Sequence, residues 1–285
     1  GTLRCIHWSE GYYKILTTIG NRTMATIEKT EIAKKKTGEV SLALDLEEGA
    51  SGFEEMGQDD LALPRLKLLQ KMSEEIDTVE GAADGKFYNS VTGELYDGRG
   101  AGLDVIPCAY VRQYLEWSER GEGSNAPINI FPATSDILSR THKEPGDYRD
   151  YLDNGNYVET SADHYMMVLD SEGFPSPVVI NMKSTQLKKS RKWNAMMMSV
   201  KAKGKNGVFT PPMFSQIYRL TSVAETNSKG TYSNWEVERV GAVEDAGVYG
   251  IAKTFAASIK AGEVKAAPLQ EENAKKEEGK THDIF

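Results

Sequence analysis

"GKFYNSVTGELYDGRGAGLDVIPCAYVRQYLEWSERG" runs from Gly85 to Gly121 and decides the fold class. Short aromatic and β-branched runs, Phe87–Tyr88, Leu103–Ile106 and Tyr110–Trp117, alternate with glycines at positions 93, 98, 100 and 102. Branched and aromatic side chains suit a pleated surface and glycine suits the turns between, so the stretch predicts antiparallel strands. Within "YVRQYLEW" the period of two puts Tyr110, Arg112, Tyr114 and Glu116 on one face and Val111, Gln113, Leu115 and Trp117 on the other.

The same grammar extends outward. Upstream, "DLALPRLKLLQKMS" marks the start of order, with "RLKLLQ" as a strand, because Pro64 discourages a helix through Leu63. Residues 1–57 read as a flexible arm, polar and charged without sustained periodicity. "MATIEKTEI" resembles an ordinary protein beginning, so translation is expected to start at Met24, with residues 1–23 upstream of it. Downstream, positions 121–155 are turn-rich and read as an excursion over the body. Strands return in "YVETSADHYMMVLD" and "VVINMKS", and "MFSQIYRLTSVAET" with "YSNWEVERVGAV" reads as a hairpin across "NSKG".

Two helices interrupt this pattern. Ser184 is placed to cap one over "TQLKKSRKWNAMMMS", with Leu187, Ala195, Met197 and Met198 near one side and Lys188, Lys189, Lys192 and Met196 opposite. The other begins at Glu244–Asp245, carries Val248, Ile251, Phe255 and Ile259 at helical spacing, and ends at Gly262. The expected architecture is mainly β (α+β): a body over 58–262, and a disordered tail over 263–285.

Composition narrows the chemistry. The chain has 285 residues, a net charge of −8 and only two cysteines, Cys5 and Cys108, too distant and isolated for a disulfide framework or a CxxC metal pair. No apolar run approaches the roughly 20 residues of a bilayer span. A reducing interior, the host cell cytoplasm on the reading below, fits best. The four histidines are scattered; no HExxH, phosphate loop or GxSxG elbow is present. "GRGAG" reads as a solvent turn, and Asp147, Asp150 and Asp153 lack a full calcium loop. His164 beside Asp163 reads as structural. No cofactor, metal or catalytic residue is predicted.

One segment stands apart. "KSTQLKKSRKWNAMMMSVKAKGKNG", Lys183–Gly207, holds no acidic residue. Its cations, Lys183, Lys188, Lys189, Arg191, Lys192, Lys201, Lys203 and Lys205, suit phosphate neutralisation, and Trp193 offers a ring for unpaired bases. Trp193 and the Met196–Met198 run fit a core role equally well. Tyr110, Arg112 and Tyr114 are candidates for a further stacking face. The C-terminal "EEGKTHDIF" ends in Asp283, Ile284 and Phe285, a pattern suited to docking in a partner's pocket.

A β-rich body, a basic–aromatic segment and a tail closing on Asp283–Ile284–Phe285 together resemble bacteriophage single-stranded-DNA-binding proteins. The resemblance implies an OB-like Greek-key barrel. It also implies sequence-nonspecific binding of single strands in replication or recombination, and recruitment of partners through the tail. Residues from about Asp60 to Ala256 further resemble phage replication-region proteins. With six acids against four lysines from Glu263 onward, this tail is less acidic than that family's pattern. The alternatives are a phage structural or assembly protein whose basic patch contacts DNA or another subunit, and a single-strand-binding transcription factor that recruits host RNA polymerase.

Overall fold

Strands β1 (Leu66–Leu68), β2 (Phe87–Asn89) and β3 (Leu95–Tyr96) pair antiparallel in that order, with a one-turn helix α1 (Glu75–Thr78) between the first two. They begin the computed structural model, which describes residues 62–118, 126–228 and 230–264, together with Glu55 and Ala266. Apart from Glu55 the expected N-terminal arm up to residue 57 lies outside these residues, as does the tail from 267 onward with its Asp283, Ile284 and Phe285. The first residues of the expected disordered tail are instead ordered: Val264 and Ala266 pack on the body, and Ala266 bridges to Leu63.

The main sheet holds seven strands: β4 (Leu103–Trp117), β5 (Asn129–Pro132), β6 (Asp150–Tyr151), β7 (Tyr157–Leu169), β8 (Pro175–Lys183), β11 (Gln216–Asn227) and β12 (Gly230–Ala242). Between β8 and β11 lies a separate two-stranded hairpin of β9 (Ala202–Gly204) and β10 (Gly207–Phe209). In the main sheet β12, β11, β4, β7 and β6 are neighbours in that order, β5 lies beside β4, β8 beside β7, and every ladder is antiparallel. The two runs expected as strands, Leu103–Ile106 and Tyr110–Trp117, are thus one continuous strand at the centre of the sheet. Pro107 cannot donate to a ladder and sits at a bulge, where the register with β7 shifts between Pro107 and Ala109.

Both faces of this sheet are buried. Alternate residues Met166 and Val168, Val178, Ile180 and Met182, Leu103 and Val105 join one core, and the interleaved Tyr165, Met167, Val179, Ile106 and Cys108 join another. The first core is covered by helix α2 (Leu187–Ser199) and by Leu66, Leu68 and Phe87 of the small sheet. The second is covered by helix α3 (Ala246–Ala261) through Ile251, Ala252 and Phe255.

The fold is mainly β and antiparallel, and its ladder does not close into a barrel. Instead β1 lies between the two ends, meeting β8 on one side and β12 on the other. There the Val179 amide donates to Pro64 O (2.9 Å), and Gln70 exchanges two hydrogen bonds with the Ser233 backbone (2.9 and 3.0 Å). Phe87 stacks on Trp235 across the same seam. The turn into β4 runs close against β11: at Gly102, whose φ is 72°, a Cβ would lie 2.5 Å from Leu220 O. Only glycine fits there.

α3 matches its expected limits. Asp245 accepts from the amides of Gly247 and Val248, and Gly262 ends the helix in the left-handed conformation. α2 does not match. Ser184 makes no capping bond; it takes a left-handed φ of 49° at the corner between β8 and a short 3-10 turn. The inward stripe is Ser190, Trp193 and Met197, with Leu187 and Met196 packed beside it, whereas Ala195 and Met198 face solvent. The helix is therefore rotated relative to the expected wheel. The 121–155 excursion adds the edge strands β5 and β6 and tucks Ile137 and Leu152 against Tyr114 and Val158. Among the described residues no helix is long and apolar enough to cross a membrane.

Candidate nucleic-acid interface

Trp193 is fully buried and cannot present a face to a base. Its ring stacks on His164 (centroids 4.7 Å apart, 16° between planes), with Tyr218 edge-on at 5.9 Å. His164 in turn holds Ser190 Oγ at 2.8 Å and tilts against Tyr110. The stacking role is corrected to a core role: helix, strand β7 and strand β4 are joined through these rings. Asp163 and His164, successive residues on β7, point to opposite faces of the sheet, so they form no acid–base pair. On its side Asp163 accepts from Gln113 (3.0 Å), Ser161 (3.1 Å) and Asn181, and burial raises its pKa.

The second expected stacking face is also absent. Tyr114 is buried among Ile137, Leu152 and Val158, and Tyr110 is half-buried against the first core. Arg112 is exposed; its guanidinium lies over the Tyr114 ring and donates to the Tyr114 hydroxyl at 3.2 Å. Neither tyrosine offers a free ring face of the kind a base needs.

The cations divide into two groups. Lys189 Nζ lies 2.8 Å from both Glu225 and Glu236, and Lys192 also reaches Glu236. Burial disfavours the Lys189 ammonium, but the two carboxylates outweigh it and raise its pKa. Hydrogen bonds from Lys189 and Lys192 lower that of Glu236. Lys183 lies 3.5 Å from Glu159 and over the Trp117 ring. These three lysines bind the segment to its own sheet. Lys188, Arg191, Lys201, Lys203 and Lys205 are exposed and have no acidic partner among the described residues. They follow one another along the outer side of α2 and into the β9–β10 hairpin. Lys201 Nζ donates to Met198 O (3.1 Å) and Thr210 Oγ1 (2.7 Å), fixing the base of the hairpin to the end of the helix.

Sequence reasoning missed this hairpin. The signal was weak: the two-residue loop is Lys205-Asn206, and only the flanking Gly204 and Gly207, the latter with a φ of 109°, mark the turn. The hairpin exposes Val208 and Phe209, and Met198 is exposed close by in the chain. No group of His, Cys, Asp and Glu suited to a metal occurs among the described residues.

What this surface offers is cationic side chains and exposed apolar groups on an acid-free stretch, since no Asp or Glu stands between Glu172 and Glu225. Comparison with known proteins gives a family rather than an activity. No curated protein and no solved structure matches the chain. Residues 34–265 match the family described as Pam3 phage gp34-like protein, which points to a bacteriophage origin. That match covers well over half of the sequence, and the chain belongs to the Pam3 phage gp34-like family.

Proposed function

We propose that this protein binds single-stranded DNA without sequence preference during phage replication or recombination. The observation that carries the reading is the run of exposed cations Lys188, Arg191, Lys201, Lys203 and Lys205, free of acidic partners among the described residues, on a chain of net charge −8. Cations placed this way neutralise phosphates and release counterions, which supplies most sequence-independent affinity. Arg112 is a separate exposed cation on β4. The OB-like part of the expectation belongs with this proposal, and the antiparallel pairing of the long strands β4, β7, β11 and β12 supports it. Asp283, Ile284 and Phe285 would recruit a replication or recombination partner, with no cofactor needed.

Gel shifts of single-stranded and duplex oligonucleotides across a salt series test the proposal. Tighter binding of the single strand, weakening steeply with salt, is the expected result. Absence of binding at low salt overturns it. Equal affinity for duplex favours the second reading, a phage assembly protein, for which the exposed Ile128 and Ile130 at edge strand β5 would supply a subunit contact.

A further inference from the structure

We infer that the β9–β10 hairpin is the base-stacking element of this interface, with Phe209 as its platform for unpaired nucleobases of single-stranded DNA. The inference deepens the proposed function and rests on it. Cross-strand partners share a face, and the register pairs Ala202 with Phe209, Lys203 with Val208 and Gly204 with Gly207. One face of the hairpin therefore carries Lys203 and Val208. The other carries the Phe209 ring, one alanine and two glycines.

Glycine lets that ring lie against the hairpin backbone. A Cβ at Gly204 would lie 3.1 Å from Phe209 Cε1, so the ring lies over a residue that has no side chain. Around Gly207 a Cβ would meet nothing within 4 Å. Phe209 is 49% exposed and Val208 66%, on a hairpin only three residues per strand. An exposed aromatic ring is able to take a stacked base.

Charge selects the partner. Lys201, Lys203 and Lys205 precede the ring in the chain, Lys203 on the opposite face of the same hairpin, and none has an acidic neighbour among the described residues. An apolar protein groove would have to desolvate these ammonium groups. A single strand accepts both features at once, phosphates on the lysines and a base on the ring. Trp193 and Tyr114 are buried and Tyr110 is half-buried against the core, so none of these three rings offers a comparable platform.

The test uses the full chain, an oligothymidylate, and fluorescence anisotropy at fixed salt beside a thermal melt. Phe209→Leu keeps apolar cover over Gly204 but removes the ring face. It should weaken binding between about 5-fold and about 160-fold, the range set by loss of one stacked base, with melting and salt slope unchanged. Phe209→Trp should bind, and its added fluorescence, taken as the difference from wild type, should be quenched at saturation. Wild-type protein that fails to bind overturns the proposed function itself. Wild-type binding with an unaltered Phe209→Leu affinity overturns this inference alone. If Phe209→Leu melts early, the tryptophan variant decides, and an unquenched signal rejects stacking. Loss of self-association with unchanged oligonucleotide affinity assigns the ring to a second copy of the chain and equally rejects it.

Discussion

His164 lies between the rings of Tyr110 and Trp193 with one nitrogen on Ser190 Oγ, and burial pushes its pKa down to about 3. A free histidine titrates near 6.5, so above that pH the imidazole is neutral whether the chain is folded or not. Between about 6.5 and about 3 the unfolded chain takes up a proton that the folded chain refuses. Stability then falls as pH falls, by up to about 1.4 kcal/mol per pH unit. Urea unfolding at about pH 7.5 and about pH 5.5 should differ by about 1.3 kcal/mol from this residue alone. His164→Phe should remove that part of the dependence, because its neighbours then titrate alike in both proteins. An identical pH dependence in the variant would show that water reaches the native ring. The same stack explains why Trp193 belongs to stability: a ring buried on all sides contributes to packing, and no base can reach it.

At the scale of elements, α2 is held from two directions, by Trp193 and Met197 below and by the Lys189 bridge to β11 and β12 at its flank. Lys189→Ala leaves Glu225 and Glu236 without the ammonium between them, and their charges then repel. We expect it to destabilise the fold by about 1–2 kcal/mol, the range for charge-assisted hydrogen bonds at a partly exposed site. Affinity of the folded molecule for a single strand should barely change, since this cation is already neutralised. A chemical melt beside a binding curve separates the two effects, and a large affinity loss at unchanged stability would place Lys189 in the interface. The contrast between the two long helices shows what was legible. α3 carries its own instructions: Asp245 supplies the cap, the apolar residues keep a 3.6 period, and Gly262 takes the only backbone region that suits the stop. In α2 the apolar residues Leu187, Trp193, Ala195, Met196, Met197 and Met198 surround most of the circle, so periodicity cannot say which side faces inward. The sheet decides it, because His164 and Tyr218 offer a flat aromatic seat for one indole. The partners of the lysines were illegible for a related reason. Glu225 and Glu236 are remote in sequence and become neighbours of α2 only when β11 and β12 fold back beside it. The strands of Leu103–Trp117 and of the β11–β12 hairpin were readable because alternation and turn residues are local.

Across the whole molecule, the proposed function asks how an acidic chain would approach a polyanion. At physiological ionic strength the screening length is about 8 Å, so a strand lying on the α2–hairpin face responds to the lysines beneath it more than to acids elsewhere. The acids of that region are already occupied: Glu159, Glu225 and Glu236 each face a lysine. The body thus separates its cations by task. Lys183, Lys189 and Lys192 hold the segment to the sheet, and Lys188, Arg191, Lys201, Lys203 and Lys205 remain available. Counterion release makes this separation measurable, because each phosphate neutralised on a single strand contributes about −0.7 to the slope of log K against log salt. Replacing Lys201, Lys203 and Lys205 together with glutamine should flatten the slope by about 2, while Lys183→Gln should leave it nearly unchanged. Both variants should retain the fold, since none of these side chains is buried. Anisotropy titrations of an oligothymidylate across a salt series would give both slopes. Equal slopes for the triple variant and wild type would mean that the hairpin cations do not touch phosphate, and the interface would then have to lie elsewhere on the molecule.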